Sequence, residues 1–273
     1  MNIKSSAIVV FSPTGTSRKV ALAMCEGCGY PSRVVDATYK TPDELTFAPD
    51  ELVFVAVPVY GGMVAPLAMQ RIAAMQGSGT PIVPIVVYGN RAYEGALSQL
   101  DGFVTQRGFV TVAAAAFVGE HSYSSKEHPI AVGRPDMTDI ADARNFGKRI
   151  TEKLSAATAP QAVDVTQLVP PRDSLWSKLR FVFFILRQRR RKKPAVKPVP
   201  IVDDERCKGC GKCARLCPNG AISPDGRHTD AHRCIKCCAC VKSCPVQARM
   251  FNTPYAPMLS QCFATRKSPV TLL

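Results

Sequence analysis

Apolar, β-branched runs recur through the first half of the chain, at Ile8–Phe11, Leu52–Val57, Ile82–Tyr88 and Phe109–Val118. Between them apolar positions return at helical spacing over Ser17–Cys25, Pro66–Met75 and Ala92–Arg107. A further helix is predicted over Pro135–Leu154. Continuous apolar strands alternating with helices predict a parallel sheet covered on both faces. A short strand near Arg33–Asp36 completes five strands. The expected class for residues 1–156 is α/β, doubly wound around a five-stranded parallel sheet.

The pattern then breaks. Residues 157–200 read as a linker, because Ala157–Pro171 is rich in Ala, Pro and Thr. Within it Leu175, Trp176, Leu179, Phe183 and Leu186 recur at helical spacing, ahead of the basic run Gln188–Lys193. Residues 201–253 form a small cysteine-rich module, and the tail 254–273 is expected to be irregular. No apolar run approaches the roughly 18 residues that span a bilayer. The first residues lead straight into a strand without the zones of a signal peptide, so a cytoplasmic location is expected.

Cysteine usage changes the picture. Of twelve cysteines, only Cys25 and Cys28 precede residue 200. Clustered thiols in a reducing compartment point to metal, not to disulfides. Cys207, Cys210, Cys213 and Cys217 are followed by Pro218, and Cys234, Cys237, Cys240 and Cys244 by Pro245. All four spacings repeat at a constant offset of 27 residues. Each cubane needs four thiolates, three from one tight loop and a fourth from the other repeat. One 4Fe–4S cluster is therefore expected on Cys207, Cys210, Cys213 and Cys244, and a second on Cys234, Cys237, Cys240 and Cys217. A zinc site does not require this fourfold run. The module reads as a small α+β, two-cluster ferredoxin of bacterial type. Gly209 and Gly211 bring backbone N–H groups close to the first cluster, while Lys236 and Cys238 stand in those places in the second loop, so the clusters are expected to differ. Cys238 and Cys262 are read as non-ligand thiols, and Cys25 with Cys28 as structural.

Three loops carry the other candidate chemistry. Ser12, Thr14, Gly15, Thr16 and Ser17 form a hydroxyl-rich turn before a helix, which suits a phosphate. It has neither the Gly-Lys-Ser/Thr ending of a Walker loop nor the three-glycine dinucleotide pattern. Pro58, Val59, Tyr60, Gly61 and Gly62 follow the third strand, and Tyr88, Gly89, Asn90 and Tyr93 the fourth. All three loops lie at carboxyl ends of parallel strands, where open sheets bind ligands. Their aromatics can stack on a flat ring. His121 and Tyr123 follow the fifth strand as weaker candidates for capping that ring or moving a proton.

On these motifs residues 1–156 resemble a flavodoxin-like domain. The chain as a whole is similar to flavodoxin–ferredoxin fusion proteins over about nine-tenths of its length. The resemblance implies FMN held by the three loops. It implies electron transfer between FMN and the clusters, linking two-electron and one-electron redox partners. The rival of another class is an FMN-dependent reductase of a small substrate, and a third is a redox sensor. No nicotinamide-binding fingerprint is visible.

The net charge of +14 is concentrated between Pro170 and Pro200, which hold ten Lys/Arg against one Asp. A helix with that basic end suits four roles: packing on its own protein, gripping an acidic redox partner, lying peripherally on an anionic membrane through 174–193, or binding nucleic acid. The last is disfavoured, because no recognised nucleic-acid module accompanies the charge.

Overall fold

The computed structural model describes residues 1–191 and 197–273. In chain order the elements begin with β1 (Ser5–Val10), α1 (Thr16–Cys28), β2 (Ser32–Asp36), β3 (Glu51–Tyr60), β4 (Met63–Val64), α2 (Pro66–Arg71) and β5 (Thr80–Tyr88). They continue with α3 (Ala96–Thr105), β6 (Phe109–Thr111), β7 (Ala114–Val118), α4 (Met137–Ala156) and α5 (Leu175–Arg190). The last are β8 (Ile201–Val202), α6 (Lys212–Arg215), α7 (Ala239–Lys242), β9 (Arg249–Met250), α8 (Tyr255–Cys262) and β10 (Val270–Leu272).

The chain divides into two compact units. The first comprises Met1–Glu120, Gly133–Pro171 and Lys267–Leu273; the second comprises His121–Val132 and Arg172–Arg266. This division departs from boundaries at 156, 200 and 253. Ala157–Pro171 is not a free linker: Val165 and Leu168 are buried, and the Val163 N–H donates to Thr111 O at 2.8 Å. The tail is not irregular either, since it holds α8 and β10.

In the first unit the parallel strands lie in the order β2-β1-β3-β5-β7. Counted along the chain this is 2-1-3-4-5, the flavodoxin-like order, with its switch point between β1 and β3. Side chains alternate across the strands. Ile8, Val10, Leu52, Phe54, Ile85 and Phe117 face a core shared with α1 and α4. The alternate positions are buried as well, as a sheet covered on both faces requires. β10 adds an antiparallel strand to β7, through the pairs Val270 with Ala116 and Leu272 with Ala114. The sheet therefore exceeds the five parallel strands expected, and the tail covers an otherwise open edge.

Three boundaries shift for physical reasons. The single strand expected at Phe109–Val118 is broken into β6 and β7. Both pair with β5, and the break falls opposite Pro84, which has no N–H to give to a ladder. The helix from Pro66 stops at Arg71, because Gln76 is drawn into extended pairing with Thr46. The helix expected from Ala92 starts at Ala96, since Asn90 and Glu94 have left-handed backbone, φ +63° and +41°.

Helices α1 and α4 approach closely. A Cβ on Gly147 would lie 2.0 Å from Met24 O, and one on Gly27 2.0 Å from Arg144 O. Cys28 Sγ donates to Gly147 O at 3.1 Å across the same contact. Gly147→Ala is expected to force the helices apart and destabilise the first unit by about 1–3 kcal/mol. Chemical denaturation followed by circular dichroism measures this, and an unchanged midpoint would contradict the packing described.

Candidate functional site

In the first unit the turn from β1 leads into the N-terminus of α1, the kind of helix end that attracts an anion. Gly15 caps α1 without a side chain, and no acidic residue stands in the first turn. The helix therefore presents its positive end at the loop. Ser12 Oγ accepts the Arg18 N–H at 3.1 Å, and the Ser12 N–H donates to Thr38 Oγ1 at 2.9 Å. Thr14 and Thr16 hydroxyls lie 3.5 Å apart. The Ser17 hydroxyl is fully buried and finds no hydrogen-bond partner among the described residues. A buried orphan donor costs free energy unless a ligand satisfies it. Arg18 is committed elsewhere, 2.9 Å from Asp36.

The second loop is a tight hairpin. β4 folds back on β3 with Tyr60 opposite Met63, leaving Gly61 and Gly62 as the two turn residues. Both have positive φ, +64° and +90°, as this two-residue turn demands. Tyr60 is half-buried at the end of β3. In the third loop the Tyr88 and Tyr93 rings meet edge to face at 5.5 Å. Both are buried, so these two rings pack on each other and do not stand open for stacking. The Tyr93 hydroxyl is buried without a partner among the described residues, and burial raises its pKa. Lys267, itself buried, donates to Arg91 O at 2.6 Å and ties the tail to this loop. Arg134 bonds Lys267 O at 3.0 Å and pairs with the fully buried Asp139. Sequence patterning does not reveal Arg134 or Lys267, because neither belongs to a periodic face.

In the second unit the 27-residue repeat reappears in the backbone. α6 and α7 occupy matching positions. Positive φ recurs at Gly209 and Lys236, at Gly211 and Cys238, and at Gly220 and Gln247. The Cys207 N–H donates to Asp203 O and the Cys234 N–H to Asp230 O, both at 3.0 Å. The two halves are crossed: Asp203 N–H reaches Ala248 O at 2.8 Å, and Asp230 N–H reaches Ala221 O at 2.7 Å. β8 pairs with β9 through Val202 and Arg249, and the equivalent bridge joins Thr229 and Ile222. The repeats are thus related as partners across a pseudo-twofold. This exchange brings the end of each repeat to the start of the other, as a fourth ligand supplied in trans requires.

The donor set suits clusters. The Ala221 N–H donates to Cys217 Sγ and the Ala248 N–H to Cys244 Sγ, both at 3.2 Å. Burial pushes the Cys244 thiol up. The backbone N–H groups of Ala248, Val246, Arg249 and Gln247 outweigh that and leave it below its usual value. Among the described residues no three His, Cys, Asp or Glu side chains converge on a point for one ion. Cubane ligands bind different irons, so they need no such point of convergence.

The pseudo-symmetry is broken by Arg249, whose counterpart is Ile222. Its guanidinium is buried at 3% exposure and lies 3.8 Å from Cys213 Sγ. It also donates to Gly226 O at 2.6 Å and to Pro200 O at 3.2 Å. The close approach of Gly226 to this thiol leaves no space for a side chain, since a Cβ would lie 2.9 Å from Cys213 Sγ. Cys238 is buried in the place of Gly211, and burial raises its pKa well above the usual thiol value. Cys262 packs with Ile130, Leu259 and Phe263.

His121 and Tyr123 cluster with this second unit and not with the sheet that precedes them. The Tyr123 N–H donates to His121 Nδ1 at 3.0 Å. The Tyr123 ring packs between His121 at 4.9 Å and Phe251 at 5.2 Å. Burial raises its pKa, reinforced by Cys238, Tyr255 and Cys234.

The 4Fe-4S binding domain family matches residues 200–223. An uncharacterized ferredoxin of Methanocaldococcus jannaschii is 54% identical over 39 residues, 14% of this chain. The match spans 24% of that relative's length. The chain joins a flavodoxin-like domain to a 4Fe–4S ferredoxin domain. Two flavodoxin structures align with its first part. One, from the domain Archaea, is 16% identical, covering 55% of this chain and 99% of that one with a TM-score of 0.41. The other, from Streptococcus pneumonia, is 16% identical, covering 54% and 98% with a TM-score of 0.37. The strand order itself carries the fold assignment.

Cys25 and Cys28 lie buried on α1, Cys25 against Ser6 of the sheet and Cys28 against Gly147 of α4. Burial pushes the Cys28 thiol up to about 12. At pH 8 roughly one Cys28 in ten thousand is thiolate, and only the thiolate reacts. Both side chains are buried, so iodoacetamide is expected to spare them in the folded protein and label both after denaturation. Mass spectrometry checks this, and labelling of the folded protein would contradict the docking of α1.

Proposed function

We propose that this chain carries electrons between FMN held by the flavodoxin-like domain and two 4Fe–4S clusters held by the ferredoxin domain. In doing so it links two-electron and one-electron redox partners. The observation that supports the reading best is the crossed 27-residue repeat beside a 2-1-3-4-5 sheet in the same chain. FMN exchanges electrons singly or in pairs and each cluster exchanges one at a time, which is the chemistry the groups supply when bound.

The chain's residues have distinct tasks in this reading. Ser12, Thr14, Thr16 and the buried Ser17 hydroxyl, with the N-terminus of α1, receive the phosphate. Tyr60 and the hairpin at Gly61 and Gly62 receive the flat ring on one side, and the Tyr88–Tyr93 loop on the other. Cys207, Cys210, Cys213 and Cys244 hold one cluster; Cys234, Cys237, Cys240 and Cys217 hold the second. Arg249 places a buried cation 3.8 Å from Cys213, and its charge also reaches Cys234 and Cys240 of the second site, which favours the more negative state of both clusters. One continuous chain gives the two kinds of centre a high effective concentration for each other.

Protein purified without oxygen is expected to contain one FMN, with about eight iron and eight sulfide per chain. Cys237→Ala is expected to lose about half of the iron, while Cys238→Ala keeps all of it. Zinc in place of iron, or equal losses in both variants, would overturn the assignment. When the flavin is photoreduced, its reoxidation by the clusters should follow a rate independent of protein concentration. A rate proportional to concentration would exclude transfer within the chain.

A further inference from the structure

Helix α5 has two apolar faces, and only one of them has a partner among the described residues. Phe181 packs edge to face on Phe263 at 5.2 Å, and Phe184 on Tyr255 at 5.4 Å. Arg180 bonds Gln261 at 2.6 Å beside them. With 3.6 residues per turn, the opposite side carries Leu175, Trp176, Leu179, Val182, Phe183 and Leu186. All six are exposed, Trp176 by 83%, Phe183 by 70% and Leu175 by 70%. No residue of α5 is fully buried. A contiguous apolar stripe along a 16-residue helix marks an interaction surface.

Charge tells what covers it. Lys178 and Arg189 flank the stripe on one side, Arg180 and Arg187 on the other, and Arg190 stands at its end. The helix contains no Asp or Glu. Two copies laid face to face would set cation against cation with no carboxylate to pair them. A flat anionic surface meets both flanks at once, and the long Lys and Arg stems let the heads reach it while the stripe sinks between them. A Trp near one end and Arg at the other suit a helix lying in the headgroup layer. None of the described helices is long and apolar enough to cross a membrane.

We propose that the exposed face of α5 docks the ferredoxin domain onto a bilayer surface bearing anionic phospholipid headgroups. The helix lies in the interface plane. Its apolar stripe enters the acyl boundary and its flanking cations bind phosphate groups. The surface would place the clusters' domain beside redox partners that reside in the membrane.

Trp176 is the only tryptophan in the chain and reports on the contact directly. Full-length protein is mixed with vesicles of phosphatidylcholine, with or without phosphatidylglycerol. Co-sedimentation and Trp176 emission are then measured. Binding to the anionic vesicles is expected to be at least roughly tenfold tighter, to blue-shift the emission, and to weaken with added salt. Phe183→Ser with Leu186→Ser is expected to abolish the blue shift, and Arg187→Glu with Arg189→Glu to weaken sedimentation by roughly tenfold. These positions are exposed, so iron content and circular dichroism should stay unchanged. Absence of binding and of any shift overturns the proposal. So does concentration-dependent dimerisation in solution that the Phe183 and Leu186 substitutions remove, or binding to an acidic protein with none to vesicles. Neither readout depends on electron transfer, so the outcome is independent of the proposed carrier function.

Discussion

The ferredoxin domain depends on one exchange of backbone hydrogen bonds, from Asp203 to Ala248 and from Asp230 to Ala221. Neither repeat closes on itself. Each starts against the end of the other, and the short pairing of β8 with β9 extends the same exchange. Everything chemical in the domain follows from that crossing. In the proposed ligation a loop of three cysteines takes its fourth from the partner repeat, an exchange that matches the crossed backbone. Under that ligation metal binding energy would also be folding energy.

Symmetry fixes the scaffold, and departures from it carry the individuality of each site. At the positions of Gly209 and Gly211 the second repeat has Lys236 and Cys238, yet the left-handed backbone is retained, at φ +56° for both. Such a conformation costs a side-chain-bearing residue about 1–2 kcal/mol. The surrounding ladder of hydrogen bonds therefore imposes the loop shape, and the residue does not choose it. Arg249 is the larger departure. A buried guanidinium stands next to a thiol in one half, where the other half has an isoleucine.

Much of this was legible in the sequence because it is periodic. Continuous apolar runs recurring between helical patterns exposed the parallel strands, and the offset of 27 residues exposed the cysteine repeat. What escaped was set by tertiary context. Pro84 splits a strand that lies elsewhere in the sequence. Val270–Leu272 is too short to read as a strand and becomes one only against β7. Arg134, Lys267 and Arg249 belong to no periodic face in sequence, and only folding buries them. His121 and Tyr123 were assigned by their place after the fifth strand, whereas their contacts are with Phe251 and the cysteine-rich unit.

That last difference reflects how the chain is distributed. Residues 121–132 leave the first unit for the second, and residues 267–273 return from the end of the chain to the first. Each unit is therefore completed by residues distant in sequence. Without its returning tail the first would lose β10 from the edge of β7, and the Tyr88–Tyr93 loop would lose the Lys267 hydrogen bond. Without residues 121–132 the second would lose Ile130 from the cluster with Leu259 and Phe263, and Tyr123 from the face of Phe251. The flavodoxin-like and ferredoxin parts are separable as folds but not as continuous segments. A single cut in the chain leaves at least one of them incomplete. The fusion is thus written into the packing of both domains, and not only into the peptide that joins them.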